Sequence, residues 1–335
     1  MAPPVIDLGV GSTSEHALAI AAACEEWGFF QVVNHGVERE LLADLDAATA
    51  EFFKQPSHVK ALVKRNAQNP RGWFDDELTK QTRDFKEGFD FGEEGRFAVD
   101  GFNQWPSTPA TFKEKCLRGF QATEQLGIRL ASLMAVGLGL EANTFNKELQ
   151  QGTTSFMRLN HYPACGPGVQ AAPEDWAAEE EPDPLRDGVL SINKHTDAGV
   201  LTVLRQREGD PATLQVFSRK SGKFERLVPV PGAFIINVGD VMQVFSNDRF
   251  QSPIHRVLAS DRERFSFPFF LNPTYSTVCE PRNVKKGDHP RYAPFTWGEF
   301  RRRRFEGDFS DVGKEAQISD YREPRPDPHS SSSRL

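Results

Sequence analysis

His195-Thr196-Asp197-Ala198-Gly199-Val200-Leu201-Thr202-Val203-Leu204 is the stretch on which the reading of the fold turns. A histidine and a carboxylate two residues apart run directly into an apolar, β-branched segment. Residues i and i+2 of a β-strand project to one face, so His195 and Asp197, on a strand or at its end, can grip one metal ion. A third ligand must come from another strand, and Ser252-Pro253-Ile254-His255-Arg256-Val257-Leu258 offers His255. Two imidazoles and one carboxylate form the set that holds Fe(II) on one face and leaves the other positions open. Arg264-Phe265-Ser266-Phe267-Pro268-Phe269-Phe270-Leu271 reads as the next strand, with Arg264 and Ser266 on one face and Asp261-Arg262-Glu263 as the preceding turn. On such a hairpin His255 and Arg264 open into one cavity, where the guanidinium presents a fork to a carboxylate-bearing co-substrate.

Each part is weak alone. A short polar triplet arises by chance, a lone histidine is more often a hydrogen-bonded structural residue, and a lone arginine is usually salt-bridged at the surface. The joint order, the strand context and the short gap from His255 to Arg264 carry the reading.

Longer segments agree with it. They are Pro4-Val5-Ile6-Asp7-Leu8, Cys24 through Val37 (with Trp27-Gly28-Phe29-Phe30 and Asn34-His35-Gly36), Asp84-Phe85-Lys86-Glu87 and Asn103-Gln104-Trp105-Pro106. Met157-Arg158-Leu159-Asn160-His161-Tyr162-Pro163-Ala164-Cys165 and Ser246 through Val257 complete them. On these residues the chain resembles, over nearly its whole length, the isopenicillin N synthase-like family of Fe(II)/2-oxoglutarate-dependent dioxygenases.

The resemblance implies a mixed α+β fold, with a double-stranded β-helix (a cupin-like jelly roll) buttressed by N-terminal helices. It implies Fe(II) on His195, Asp197 and His255, with 2-oxoglutarate and O2 as co-substrates and ascorbate as an accompanying reductant. The far carboxylate of 2-oxoglutarate is expected on Arg264, Ser266 and Tyr162, with Asn160 on the same strand face as an orienting residue. Arg158 shares that face, as a site residue or as one half of a salt bridge. The implied reaction hydroxylates, desaturates or cyclises a small-molecule substrate, releasing succinate and CO2. Strand alternation puts Asn193, two residues before His195, in the substrate pocket and turns Lys194 away. Phe267 and Phe269 oppose Arg264 and read as core. Phe74, Phe91 and Phe102 are either core or a substrate mouth. One departure is Asp210-Pro211-Ala212-Thr213 ahead of Leu214-Gln215-Val216, where the family often has a Gly-Gly pair; it bears on a turn near the pocket. Two rival readings stay open: a same-fold Fe(II) oxidase that does not use 2-oxoglutarate, and a catalytically silent small-molecule-binding protein.

The 335 residues carry a net charge of −7, which gives no basic field for nucleic acid or anionic membrane. With 38% hydrophobic residues and 27 phenylalanines, a sizeable core is available. Arg301-Arg302-Arg303-Arg304 is the local basic exception, expected to end a solvated helix. Cys24, Cys116, Cys165 and Cys279 are scattered, as reduced thiols in an intracellular, cytoplasmic protein are. The chain has no long apolar run and no basic, apolar leader. Ser333-Arg334-Leu335 is either a frayed terminus or, in a eukaryote, a peroxisomal address read by the import receptor.

Along the chain we expect an N-terminal dioxygenase region (1–108), a long support helix and connection (109–150) and the jelly-roll core (151–275). A C-terminal helical extension (276–320) and a disordered tail (321–335) follow. Ser14 is expected to cap the first helix, Glu38 to Phe53 to form the second, and Pro109 to Gly137 the long third, with an apolar stripe through Phe112, Cys116, Phe120, Leu126, Leu130 and Leu133. Short apolar runs after Ser155, including Val241 to Phe245, read as strands. The acidic segment 166–188 is either a solvated loop or a lid over the site.

Overall fold

The computed structural model describes residues 2–79, 82–93, 100–150, 152–166, 189–282, 284, 288–309 and 316–324. The N-terminal part contains β1 (Val5–Asp7), α1 (Thr13–Glu26), β2 (Phe29–Val33), α2 (Arg39–Phe53), α3 (Ser57–Lys60), β3 (Gly72–Phe74), β4 (Leu78–Thr79), β5 (Thr82–Arg83) and β6 (Glu87–Gly92). Next come α4 (Phe112–Gly137), α5 (Asn146–Leu149), β7 (Phe156–Tyr162), β8 (Leu190–His195), β9 (Leu201–Gln206), β10 (Leu214–Ser218), β11 (Lys223–Arg226) and β12 (Phe234–Val238). The chain closes with α6 (Asp240–Phe245), β13 (His255–Leu258), β14 (Arg264–Leu271), β15 (Val278–Cys279), β16 (Phe295–Thr296) and α7 (Trp297–Phe309).

Two sheets make the jelly roll. The larger has eight strands in the order β1-β2-β12-β9-β14-β7-β6-β3, the smaller four in the order β11-β10-β13-β8. Residues of both sheets line one cavity between them. The larger sheet takes β1, β2, β3 and β6 from the first hundred residues, so the expected regions 1–108 and 151–275 share one hydrogen-bonded sheet.

The apolar stripe of α4 does what its spacing predicts. Phe112, Cys116, Phe120, Leu126, Leu130 and Leu133 are all buried. Phe120 meets Phe269 of β14 edge-on at 5.1 Å, and Phe112 stacks on Phe52 of α2 at 4.8 Å. Each such ring contributes about 1.5–3 kcal/mol through burial, so α4 anchors the back of the larger sheet. Phe267, Phe74 and Phe91 are core residues too, whereas Phe102 is 67% exposed.

Several local expectations are corrected. Ser12, not Ser14, caps α1, in a reciprocal capping box with Glu15. Residues 241–245 form the buried helix α6, not a strand; a short apolar run fits either state, and only its packing decides. The strand expected from Ser252 begins at His255. It makes no hairpin with β14, because β13 pairs with β8 and β10 in the smaller sheet while β14 pairs with β7 and β9 in the larger. His255 and Arg264 therefore face each other across the cavity from opposite sheets.

Only half of the arginine run is solvated: Arg302 and Arg303 are exposed, whereas Arg301 and Arg304 turn inward. Arg301 pairs with Asp100 at 2.8 Å and Arg304 is buried beside Asp240. The tail is held at its start: Tyr321 packs on Phe295 at 4.2 Å and Arg322 pairs with Asp248 at 2.8 Å. The acidic segment, from residue 167 to 188, and the tail from residue 325 lie outside the described residues.

Candidate metal centre

His195 ends β8 and His255 begins β13, directly opposite each other in the antiparallel pair. Asp197 sits just beyond β8. Its Oδ1 lies 3.7 Å from Nε2 of each histidine, and one ligand atom from each of the three side chains falls within 4.8 Å of the others. The other polar atoms are already engaged. Nδ1 of His195 is 2.7 Å from the carbonyl of Asn193, and Nδ1 of His255 is 3.1 Å from the carbonyl of Pro253. A carbonyl only accepts, so these nitrogens carry the hydrogens and each Nε2 is left with its lone pair toward the centre. Oδ2 of Asp197 accepts from Thr202 Oγ1 and, at 2.8 Å, from Asn237 Nδ2. Thr202 and Asn237 are themselves cross-strand partners on β9 and β12.

The electrostatics suit a cation. Burial, helped by the adjacent His255, pushes His195 down to about 3, so its ring is neutral near pH 7. Burial alone would raise Asp197, but the two histidines and the hydrogen bonds from Thr202 and Asn237 hold it below the ordinary carboxylate value. An ionised carboxylate and neutral imidazole nitrogens aimed at one point fit a divalent iron ion.

Behind the centre two loops touch. Gly239 lies so close to Gly199 that an added Cβ would sit 2.1 Å from the Gly199 carbonyl oxygen. This approach lets the Asp240 amide donate to the Asp197 carbonyl at 2.8 Å, and Arg304 Nη2 donates to the Thr196 carbonyl at 2.8 Å.

A second polar group lies where β14 runs beside β7. Arg264 is opposite Tyr162 and Ser266 opposite Asn160. Tyr162 Oη and Ser266 Oγ are 3.1 Å apart, Asn160 Nδ2 donates to Ser266 Oγ at 3.2 Å, and the Arg264 guanidinium lies over the Tyr162 ring at 4.5 Å. With its amide oxygen turned toward Arg264, Gln206 accepts from Nε at 2.8 Å and also from Nη2. Arg264 Nη1 remains buried without a partner, as does Asn160 Oδ1. A buried guanidinium with a spare donor fits the far carboxylate of 2-oxoglutarate. The triad, Arg264, Ser266, Tyr162 and Asn160 all line the same cavity of about 250 Å³.

Asn193 does not join them. Between His255 and Val257 on β13 the facing strand runs from His195 back to Ile192, one residue too many, and this β-bulge rotates the chain. Ile192 lines the metal cavity, and Asn193 lines a separate cavity of about 640 Å³ with Lys60 and Trp73. Arg158 is salt-bridged, to Asp90 at 2.7 Å and Glu77 at 2.8 Å, while also bordering the metal cavity. Thr202, Asn237, Gln206 and Arg304 were not read as site residues from the sequence. A buried asparagine inside the apolar strand Phe-Ile-Ile-Asn-Val was the one available signal.

Comparison with known proteins agrees with this arrangement. Residues 3–108 match the family described as the N-terminal part of non-haem dioxygenases in morphine synthesis, and residues 153–273 match the 2OG-Fe(II) oxygenase superfamily. The 2-oxoglutarate-Fe(II) type oxidoreductase hxnY of Emericella nidulans is 34% identical over 325 residues, covering 88% of this chain and 87% of that protein. Hyoscyamine 6-dioxygenase of Hyoscyamus niger is 29% identical over 315 residues, covering 89% and 83%. The crystal structure of JOX2 in complex with 2OG, Fe and JA superposes with a TM-score of 0.80 at 27% identity, over 97% of this chain and 90% of that one. A full-length Neurospora crassa protein crystallised with alpha-KG and thymine shares the fold, at a TM-score of 0.75 and 24% identity over 90% and 96%. By its matched families, its relatives and its donor set, the chain belongs to the 2OG-Fe(II) oxygenase superfamily and is an Fe(II)- and 2-oxoglutarate-dependent oxygenase.

Proposed function

We propose that His195, Asp197 and His255 hold the iron, that Arg264 with Ser266 and Tyr162 holds the far carboxylate of 2-oxoglutarate, and that a small organic molecule is oxidised at a C–H group in the remaining cavity. The observation that carries this is the unpartnered Nη1 of buried Arg264, beside two hydroxyls in the same cavity as the triad. When bound, Fe(II) with 2-oxoglutarate and O2 supplies an oxidant able to break a C–H bond, with release of succinate and CO2. The chain's own residues do the rest. Asp197 keeps Oδ1 for the metal because Thr202 and Asn237 occupy Oδ2. Arg264 neutralises one charge of the co-substrate, and the Ser266 and Tyr162 hydroxyls are free to rotate and donate to the same carboxylate. Asn160 steadies Ser266. Ile192, Leu204, Leu214 and Val257 line the cavity with apolar surface, exclude water and so strengthen each polar contact inside it.

The named relatives, hyoscyamine 6-dioxygenase and a protein crystallised with JA, support a small-molecule substrate. Among the described residues no helix is long and apolar enough to cross a membrane. We assign the reaction to the cytoplasm, with Ser333-Arg334-Leu335 as the feature whose deletion tests a peroxisomal location by fluorescence microscopy.

The test is succinate formation by the Fe(II)-loaded protein during slow turnover without added substrate. The expected result is 2-oxoglutarate-dependent O2 uptake with stoichiometric succinate, abolished in His255→Ala. Equal O2 uptake with and without 2-oxoglutarate would instead place the chain with the same-fold oxidases.

A further inference from the structure

Of the cations that line the metal cavity and that the foregoing chemistry does not use, Arg71 stands apart. The other cations along that wall are matched: Arg158 with Asp90 and Glu77, Arg65 with Glu77, Lys86 with Glu77 and Asp84, Arg301 with Asp100 and Arg304 with Asp240. Arg71 has no ion pair among the described residues. Its Nε and Nη2 are buried without a hydrogen-bond partner, and the residue is only 3% exposed. Burial, with Arg301 nearby, pushes it down to about 10, still protonated near pH 7.

The backbone holds this side chain in place. Gly72 follows with φ +106°, and an added Cβ there would lie 2.1 Å from the Val63 carbonyl oxygen, so the chain passes through a position that only glycine fills. Gln104 Nε2 clamps the Arg71 carbonyl at 2.6 Å. A buried, unpaired guanidinium is costly to retain, which is the expected condition of a residue whose counter-charge arrives with a ligand.

That ligand is not 2-oxoglutarate held by Arg264. Phe156, Arg158, Asn160 and Tyr162 line the cavity along one face of β7. Arg264 lies over Tyr162 at one end, and Arg71 lies 5.0 Å from Phe156 at the other. Six residues of strand separate those ends by ~20 Å at ~3.3 Å per residue. The cavity thus has two cationic ends, and the co-substrate's far carboxylate occupies one of them.

We infer that the substrate is an organic acid and that Arg71 binds its carboxylate, a reading that rests on the oxygenase assignment above and narrows its substrate class. With the cations around it matched by carboxylates, the Arg71 end of the cavity has a single positive charge in excess. A carboxylate meets that charge and the planar fork in two parallel hydrogen bonds. A dianionic phosphate would bring an extra negative charge toward Asp90 and Asp100.

The experiment uses the full-length protein, loaded anaerobically with Fe(II) and 2-oxoglutarate and titrated calorimetrically with phenylacetic, 4-phenylbutyric and decanoic acids and their primary amides. The expected result is that at least one acid binds tenfold or more tightly than its amide. Arg71→Gln erases that preference and Arg71→Lys keeps part of it, while the 2-oxoglutarate charge-transfer band persists in both. Because Arg71 is unpaired, ligand-free Arg71→Gln melts no lower than the wild type; a structural arginine would lower the melting temperature. No acid exceeding its amide in the wild type, or a preference that survives Arg71→Gln, overturns the inference. A missing 2-oxoglutarate band in the wild type sinks the oxygenase reading separately, and the acid–amide comparison still reports on Arg71.

Discussion

Asp197 shows how much of the site depends on the division of labour within one side chain. Oδ1 faces the two histidines and Oδ2 is taken by Thr202 and Asn237, so the carboxylate is oriented before any metal arrives. Removing an orienting hydrogen bond of this kind typically weakens metal binding ~10–100-fold. Thr202→Val should therefore raise the Fe(II) dissociation constant by about that factor, read by competition with a chromogenic chelator, with the circular dichroism spectrum unchanged. An unaltered iron affinity would contradict the role given to Thr202. His195, Asp197, His255 and Arg264 were legible in the sequence because their residue types and order are informative without knowledge of pairing. Thr202 and Asn237 were not, because they become neighbours of Asp197 only through the pairing of β9 with β12.

Elements decide which face each of these residues presents. Strand alternation correctly puts Arg264 and Ser266 on one side of β14 but fails on β8, where the bulge exchanges Ile192 for Asn193 in the metal cavity. An inserted residue becomes visible only against a partner strand. The run 241–245 is ambiguous for a related reason: five apolar residues fit a buried strand or a buried helix equally well. The long stripe of α4 carries no such ambiguity, since its period repeats over 26 residues. One polar residue on that helix has a measurable cost. Burial, with Glu93 nearby, raises Glu124 from 4.5 to about 7. A carboxyl whose folded-state value lies above its unfolded value binds more protons when folded across that interval, so stability falls as pH rises through it. Glu124→Gln should remove this component. Urea denaturation should show the variant gaining on the wild type between about pH 5 and pH 8, and an identical pH dependence in the two proteins would refute the assignment.

The C-terminal segment closes over the site that the two sheets build. Arg301 and Arg304, three residues apart, share one face of α7 and reach inward to Asp100, Asp240 and the Thr196 carbonyl. The sequence shows four consecutive arginines and suggests a solvated end; only the packing of α7 reveals that this face is inside. Arg304→Ala leaves Asp240 with the Thr196 hydroxyl but without its buried cation, a loss worth about 3–5 kcal/mol. Urea denaturation should show a destabilisation of that size, together with weaker iron binding because the loop between His195 and Asp197 loses its tie. A change below about 0.5 kcal/mol, the range of ordinary surface substitutions, would show that the segment does not brace the site.

Anaerobic titration reads both halves of the proposed site, iron on His195, Asp197 and His255 and 2-oxoglutarate on Arg264. Purified apoprotein is given Fe(II) and then 2-oxoglutarate, and the visible metal-to-ligand charge-transfer band is followed. The wild type should show a saturable band and His195→Ala none. In Arg264→Ala the band should require on the order of 100-fold more 2-oxoglutarate, as expected when one partner of a buried charge pair is lost. Stoichiometric iron binding without a band, or an Arg264→Ala titration that overlays the wild type, would contradict the proposed site.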